Sequence, residues 1–225
     1  MIKNISNLGD AAVYCDFGTE VNKSINSEVI KYFKALKKEN IESINNLTPS
    51  YNKLIVSYDL RKTNFKEVKK LIENLNVNET QDKNNTKIEI PVCCDDQFSL
   101  DIKRLEEKLN INRNKILENF FSKDYFCYMT GFIAGMPFLG DLGENMRVPR
   151  LETPRVKVPK GSVALTEQFV NIYTFESPGG WNIVGNTPID IFDNSKEVEP
   201  NLINPGDTVV FKQLSIEEYN SHNDK

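Results

Sequence analysis

Glycine and proline are spread too unevenly for this chain to be one architecture throughout. Only Gly9, Gly18, Pro49 and Pro91 fall before residue 130; nine glycines and eight prolines follow it. These residues are the strongest punctuation a chain carries. A stretch nearly free of them has room for long helices and unbroken strands. A stretch rich in them is cut into short extended segments joined by tight turns. The first half therefore predicts mixed helix and strand, and the second predicts β-rich structure.

Periodicity fills in the first half. AAVYCDF (11–17) mixes β-branched and aromatic residues and predicts a strand. Across Val21 to Lys37, Val29, Ile30, Phe33 and Leu36 recur at helical spacing. A second strand, a turn at Pro49 and a third strand over Lys53–Tyr58 follow. Asn64 to Leu75 predicts a second helix with an apolar stripe of Phe65, Val68, Leu71, Ile72 and Leu75. With a closing strand in KIEIPV (87–92), the order matches a split βαβ sandwich of ferredoxin-like type. The polar segment 76–87 predicts a connecting loop. Ser99–Leu109 and Asn112–Phe121 predict two short helices, and Asp124–Phe132 a strand. From residue 146 onward the apolar residues alternate as in a barrel.

Bulk properties narrow the function classes. The 225 residues are 39% hydrophobic and 27% charged, with a net charge of −4. That balance does not suggest broad binding to nucleic acid or an anionic membrane. No apolar run approaches the ~20 residues of a membrane span, and the N-terminal residues lack the order of a signal peptide. The expectation is a cytoplasmic protein. Cys15, Cys93, Cys94 and Cys127 contain no C-x-x-C pair, and the lone His222 lies in a polar tail. A zinc site is not expected. Neither is a Ser-His-Asp or Cys-His mechanism, unless a partner supplies the base. The pairs Asp95-Asp96 and Glu217-Glu218 sit in polar surroundings and predict solvated faces.

Four stretches of the second half could carry chemistry. GFIAGMPFLGDLG (131–143) is an apolar loop in which glycines such as Gly135 would let backbone approach a ligand, or would simply cross beneath a barrel. PRLETPRVKVPKGS (149–162) sets Arg150 and Arg155 on proline-stiffened backbone beside Ser162. An arginine so held suits carboxylate or phosphate, or else is simply solvated or tied in an internal ion pair. ESPGGWNIVGNTP (176–188) places the only tryptophan, Trp181, directly after Gly179 and Gly180. It reads either as a ligand wall beside accessible backbone, or as a tight turn with Trp181 plugging one barrel end. NPGDTVVF (204–211) predicts a structural turn built on Asp207. No G-x-x-x-x-G-K-[ST] loop is present.

PRLETPRVKVPKGSVAL, IYTFESPGGWNIVGNTP and INPGDTVVF, in that order, resemble the family of the kinase inhibitor KipI and the B subunit of bacterial 5-oxoprolinase. This family is also labelled allophanate hydrolase subunit 1. GFIAGMPFLGDL is similar to its glycine loop, IPVCCDDQFSLDI to the segment before its central helices, and LGDAAVYCDFG and TPSYNKLIVSYD to its N-terminal domain. The resemblance implies an α+β chain: a ferredoxin-like domain over 1–85, then a cyclophilin-like β-barrel domain over 86–225 with two short helices at 99–121. It implies a component of an ATP-dependent 5-oxoprolinase, inactive alone. That chain pairs with a C subunit, shares with it the binding of ATP and magnesium, and activates the 5-oxoproline lactam by phosphorylation. An A subunit completes hydrolysis to glutamate. Arg150 and Arg155 would be anion-binding groups, with Gly135, Ser162, Gly179, Gly180 and Trp181 lining the site and no catalytic residue assigned. The same resemblance carries a second expectation, a binding module that inhibits a sensor histidine kinase. A prolyl isomerase would rest on fold analogy alone. The chain departs from its relatives at Phe121, where many have His four residues before the Tyr of the central strand. It departs again at Ala134, Met136 and Phe138 in the glycine loop.

Overall fold

The chain folds as two units, Met1–Asn85 and Thr86–Lys225, in a computed structural model that describes residues 2–77 and 86–223. Most of the connecting loop expected at 76–87 lies outside the described residues.

The first unit holds strands β1 (Asn4–Asn7) and β2 (Ala12–Asp16), helix α1 (Lys23–Glu39), strands β3 (Ile44–Pro49) and β4 (Lys53–Tyr58), and helix α2 (Phe65–Glu73). The strands form one antiparallel sheet in the order β1-β2-β4-β3. Strand β4 therefore lies between the two strands that α1 connects. Alternation along β2 and β4 sends Val13, Cys15, Leu54, Val56 and Tyr58 to one face. There they meet Val29 and Leu36 of α1 and Val68 and Ile72 of α2. Asparagine starts both helices. The Asn22 side chain accepts from the Ile25 N–H at 3.0 Å, and that of Asn64 accepts from the Lys66 and Glu67 N–H groups at 3.0 and 3.2 Å.

One expectation fails here. The edge strand beside β2 is Asn4–Asn7, not KIEIPV. That later segment is β5 (Lys87–Cys93) and belongs to the second unit. Its partner along all seven residues is β13 (Thr208–Leu214), in parallel register. On its other side it meets β12 (Asn182–Asn186) only at Cys93. Pro91, which has no N–H to give, is thus spared a second ladder.

Between β5 and β12 run α3 (Ile102–Leu109), α4 (Arg113–Phe121), β6 (Asp124–Thr130), β7 (Pro137–Gly140), β8 (Arg155–Val158), β9 (Ser162–Thr166), β10 (Phe169–Ile172) and β11 (Ser177–Gly179). Helix α5 (Ile216–Asn223) follows β13. Seven strands close a barrel in the order β10-β7-β6-β13-β5-β12-β9, while β8 and β11 form a separate two-stranded ribbon. Each barrel strand sends apolar residues to one shared core, among them Val92, Cys127, Leu139, Leu165, Val170, Val184 and Phe211. Phe120 of α4 stacks on Phe211 with ring centroids 4.9 Å apart, and the Tyr125 hydroxyl donates to the Phe120 carbonyl at 2.8 Å. Phe121 packs edge-on against Phe120 and lines this same core. The Asp207 carboxylate accepts from the Asn204 N–H at 2.8 Å, the turn its sequence predicts. All four cysteines are buried and free. Among the described residues no helix is long and apolar enough to cross a membrane.

Candidate functional site

Period-two alternation has a second consequence on the barrel's outer face. Val170 and Ile172 point into the core, so Asn171, opposite Phe138 in register, must point out. Beyond the strand, Tyr173 is on the same side as Asn171. Around it gathers a smaller cluster of Met136, Val158, Ala164 and Ile183, backed by Phe138 and Trp181. The ribbon of β8 and β11 covers part of this face. Its strands are held by pairing of Arg155 with Gly179, and the Leu151 N–H donates to the Gly180 carbonyl at 2.7 Å.

The two neighbouring glycines do different jobs. A Cβ on Gly179 would lie 2.1 Å from the Tyr173 phenol oxygen, so only glycine lets the ribbon seat there. A Cβ on Gly180 would meet Pro154 at 3.4 Å, an ordinary contact. Trp181 stands edge-on to Phe138, ring centroids 5.6 Å apart. It is half-buried on the outer face and does not plug the barrel end.

Between ribbon and barrel opens a cleft of about 370 Å³. Phe132, Phe138 and Trp181 wall it, Asn171 and Tyr173 form its floor, and Arg150 stands at its edge. Phe132 is 72% exposed and has a left-handed backbone, φ 70°, unusual for a bulky residue. The exposed Arg150 side chain makes no hydrogen bond or ion pair among the described residues. Burial pushes the Tyr173 phenol up from its ordinary value. The Asn171 carboxamide, the Arg150 charge, the Trp181 backbone amide and the Arg155 charge act in the opposite direction. The net is upward, so the hydroxyl is neutral near pH 7 and can both give and accept a hydrogen bond.

Of the residues singled out in the sequence, Arg150, Gly179, Gly180 and Trp181 line this cleft together. Arg155 does not line it. One arm of its guanidinium bridges Asp101 at 2.6 Å, and the other carboxylate oxygen of Asp101 accepts from the Ile183 N–H at 2.7 Å. This is the internal ion pair that the sequence left open as an alternative. Gly135 is buried beside Phe192, in a left-handed conformation at φ 70°, and lies outside the cleft lining. Ser162 is buried within β9, where its carbonyl accepts from the Tyr173 N–H at 2.9 Å. Asn171, Tyr173 and Phe132 escaped the sequence reading. The signal was present for the first two: both fall on the polar parity of FVNIY, facing away from Val170 and Ile172.

Known proteins match this chain in sequence and fold. Residues 3–203 fit the family described as carboxyltransferase domain, subdomain C and D. A Haemophilus influenzae protein, named as the B subunit of 5-oxoprolinase, is 32% identical over 95% of this chain and 99% of its own length. The Bacillus subtilis protein of the same name is 28% identical over 98% and 97%. The crystal structure of TTHA0988 superposes with a TM-score of 0.83 at 28% identity; the match covers 91% of this chain and 40% of that one. This chain belongs to the carboxyltransferase-domain family, subdomains C and D, together with the B subunits of 5-oxoprolinase.

Proposed function

We propose that this chain is the B subunit of an ATP-dependent 5-oxoprolinase, working in the cytoplasm with a C subunit and an A subunit. In this reading the N-terminal unit is a ferredoxin-like sandwich and the C-terminal unit a cyclophilin-like barrel. The observation that carries the proposal is the cleft: an apolar pocket of small-ligand size, with Arg150 free at its edge, in a chain that matches proteins named as B subunits of 5-oxoprolinase over almost its whole length.

The chemistry divides between subunits. A lactam is a poor electrophile, and phosphorylation of its oxygen at the expense of ATP makes ring opening feasible. Arg150 is the one cation lining the cleft, and among the described residues no cluster of His, Cys, Asp or Glu could hold a metal ion. These residues do not fit a magnesium-bound triphosphate by themselves, so ATP and magnesium belong with the partner subunit in this reading. What this chain contributes is positioning: Arg150 holds a carboxylate, and Trp181 with Phe138 excludes water from one side of the ligand.

The test is to co-express this chain with A and C subunit homologues and measure ATP-dependent glutamate release from 5-oxoproline. Turnover should need all three chains. Arg150→Ala should lower it at least tenfold while shifting stability by less than about 0.5 kcal/mol. Arg155→Ala, by contrast, should destabilise by about 1–3 kcal/mol, because it leaves Asp101 buried with one oxygen unpaired. A complete complex without turnover, or full activity in Arg150→Ala, would remove this reading. A chain that instead bound and silenced a histidine kinase would be the regulatory protein that its sequence also resembles.

A further inference from the structure

The Asn171 carboxamide is the least satisfied polar group in the cleft. The residue is fully buried, and apart from the nearby Tyr173 hydroxyl neither its nitrogen nor its oxygen has a partner. The Tyr173 hydroxyl is within hydrogen-bonding reach of the amide, which draws the phenol's pKa down, yet one hydroxyl cannot satisfy a group with two donors and two lone pairs. Such atoms are rare in folded proteins, and leaving them unmade is costly. Around them the cleft is apolar apart from Tyr173, Thr166 and the Arg150 cation, and Thr166 is already committed to the Val148 carbonyl at 3.1 Å.

The unmet demand has a specific shape. A carboxamide presents a donor and an acceptor side by side. Its best complement is a group that presents an acceptor and a donor on one edge. An open-chain secondary amide cannot, because its bond is trans and its N–H and C=O point apart. A small cyclic amide can, because the ring forces the two onto the same side. We propose that Asn171 is the specificity-determining residue of the cleft: it takes the cis-amide edge of a lactam in two parallel hydrogen bonds, while Arg150 takes the ligand's carboxylate. The inference rests on the 5-oxoprolinase reading for its ligand class, and on the under-satisfied amide for its mechanism. Trp181 and Phe138 would flank the ring, and the Tyr173 hydroxyl would hold the Asn171 amide in place.

The experiment uses the full chain and titrates three probes by ligand-observed NMR: 5-oxo-L-proline, its N-methyl derivative, and cyclopentanecarboxylate. The first should bind at least about tenfold more tightly than the other two, which lack the donor or the whole amide. Asn171→Leu should bring the three to equal affinity without lowering the melting temperature. Arg150→Ala should weaken all three and keep their ranking. Should the leucine variant not fold, the comparison of 5-oxo-L-proline with its N-methyl derivative on the unaltered chain decides the matter alone. Equal affinities there, or no binding of any probe, overturn the role of Asn171, as does a preference that survives in Asn171→Leu. The assembled-enzyme assay separates the two claims. Turnover without lactam preference in the cleft sinks Asn171 and spares the 5-oxoprolinase reading. Lactam preference without turnover does the opposite.

Discussion

At Gly179 the seating of the ribbon depends on the absence of a single methyl group. An added Cβ would sit 2.1 Å from the Tyr173 oxygen, whereas one on Gly180 would touch Pro154 at 3.4 Å. Gly179→Ala should therefore cost about 1–3 kcal/mol in urea unfolding, the usual penalty for overpacking, and Gly180→Ala about 0.5 kcal/mol or less. Equal costs would mean that the ribbon is not seated on Tyr173. The thiols make a second prediction. Burial pushes Cys15 and Cys94 from an ordinary 9.0 up to about 12. A raised folded-state pKa means the unfolded chain loses the proton first. The associated stability is whole below about pH 9 and is lost as pH climbs toward 12. Urea midpoints measured from pH 7 upward should stay level and then fall across that window, and a flat profile to pH 12 would contradict the burial of these thiols.

Single elements take their ends from local chemistry and their partners from elsewhere. Helix α2 begins where the Asn64 side chain accepts two backbone N–H groups, and its Val68 and Ile72 face the sheet. Asn64→Ala should destabilise the chain by about 1 kcal/mol in chemical denaturation, with serine restoring most of it. No loss would mean that the cap is redundant. The helix stripes were legible because 3.6-residue periodicity depends only on which face is buried. Strand partners were not. KIEIPV reads as a strand in any context, and nothing local says whether it joins Ala12–Asp16 or Thr208–Leu214. The latter pairing spans about half the chain, and its seven-residue register arises only when the barrel closes.

Over the whole molecule the barrel depends on that distant pairing. Strand β13 lies between β6 and β5, parallel to β5 and antiparallel to β6. A fragment starting at Thr86 should fold and show a cooperative melt. One starting at Cys94 lacks β5, leaving β13 with an open edge and the core without Ile90 and Val92. It should be insoluble or molten by near-ultraviolet circular dichroism. Two cooperative melts, or none, would show that the barrel is not organised around this strand.

By itself the sequence determined the change of character near residue 130, both helix stripes of the first unit, and the Asp207 turn. It also determined the resemblance carried by Pro-Gly-Gly-Trp and the Pro-Arg pairs. These are local patterns, written in spacing and composition, and they survive without knowledge of what packs where. Tertiary structure alone decided that Arg150 stays free while Arg155 is tied to Asp101, because the two look alike until a partner 54 residues away is placed beside one of them. Ser162 and Gly135 fell outside the cleft for the same reason: neighbourhood in sequence is not neighbourhood on a barrel. Asn171 entered it because an outward-facing strand position becomes a buried one only after the β8–β11 ribbon has folded over it.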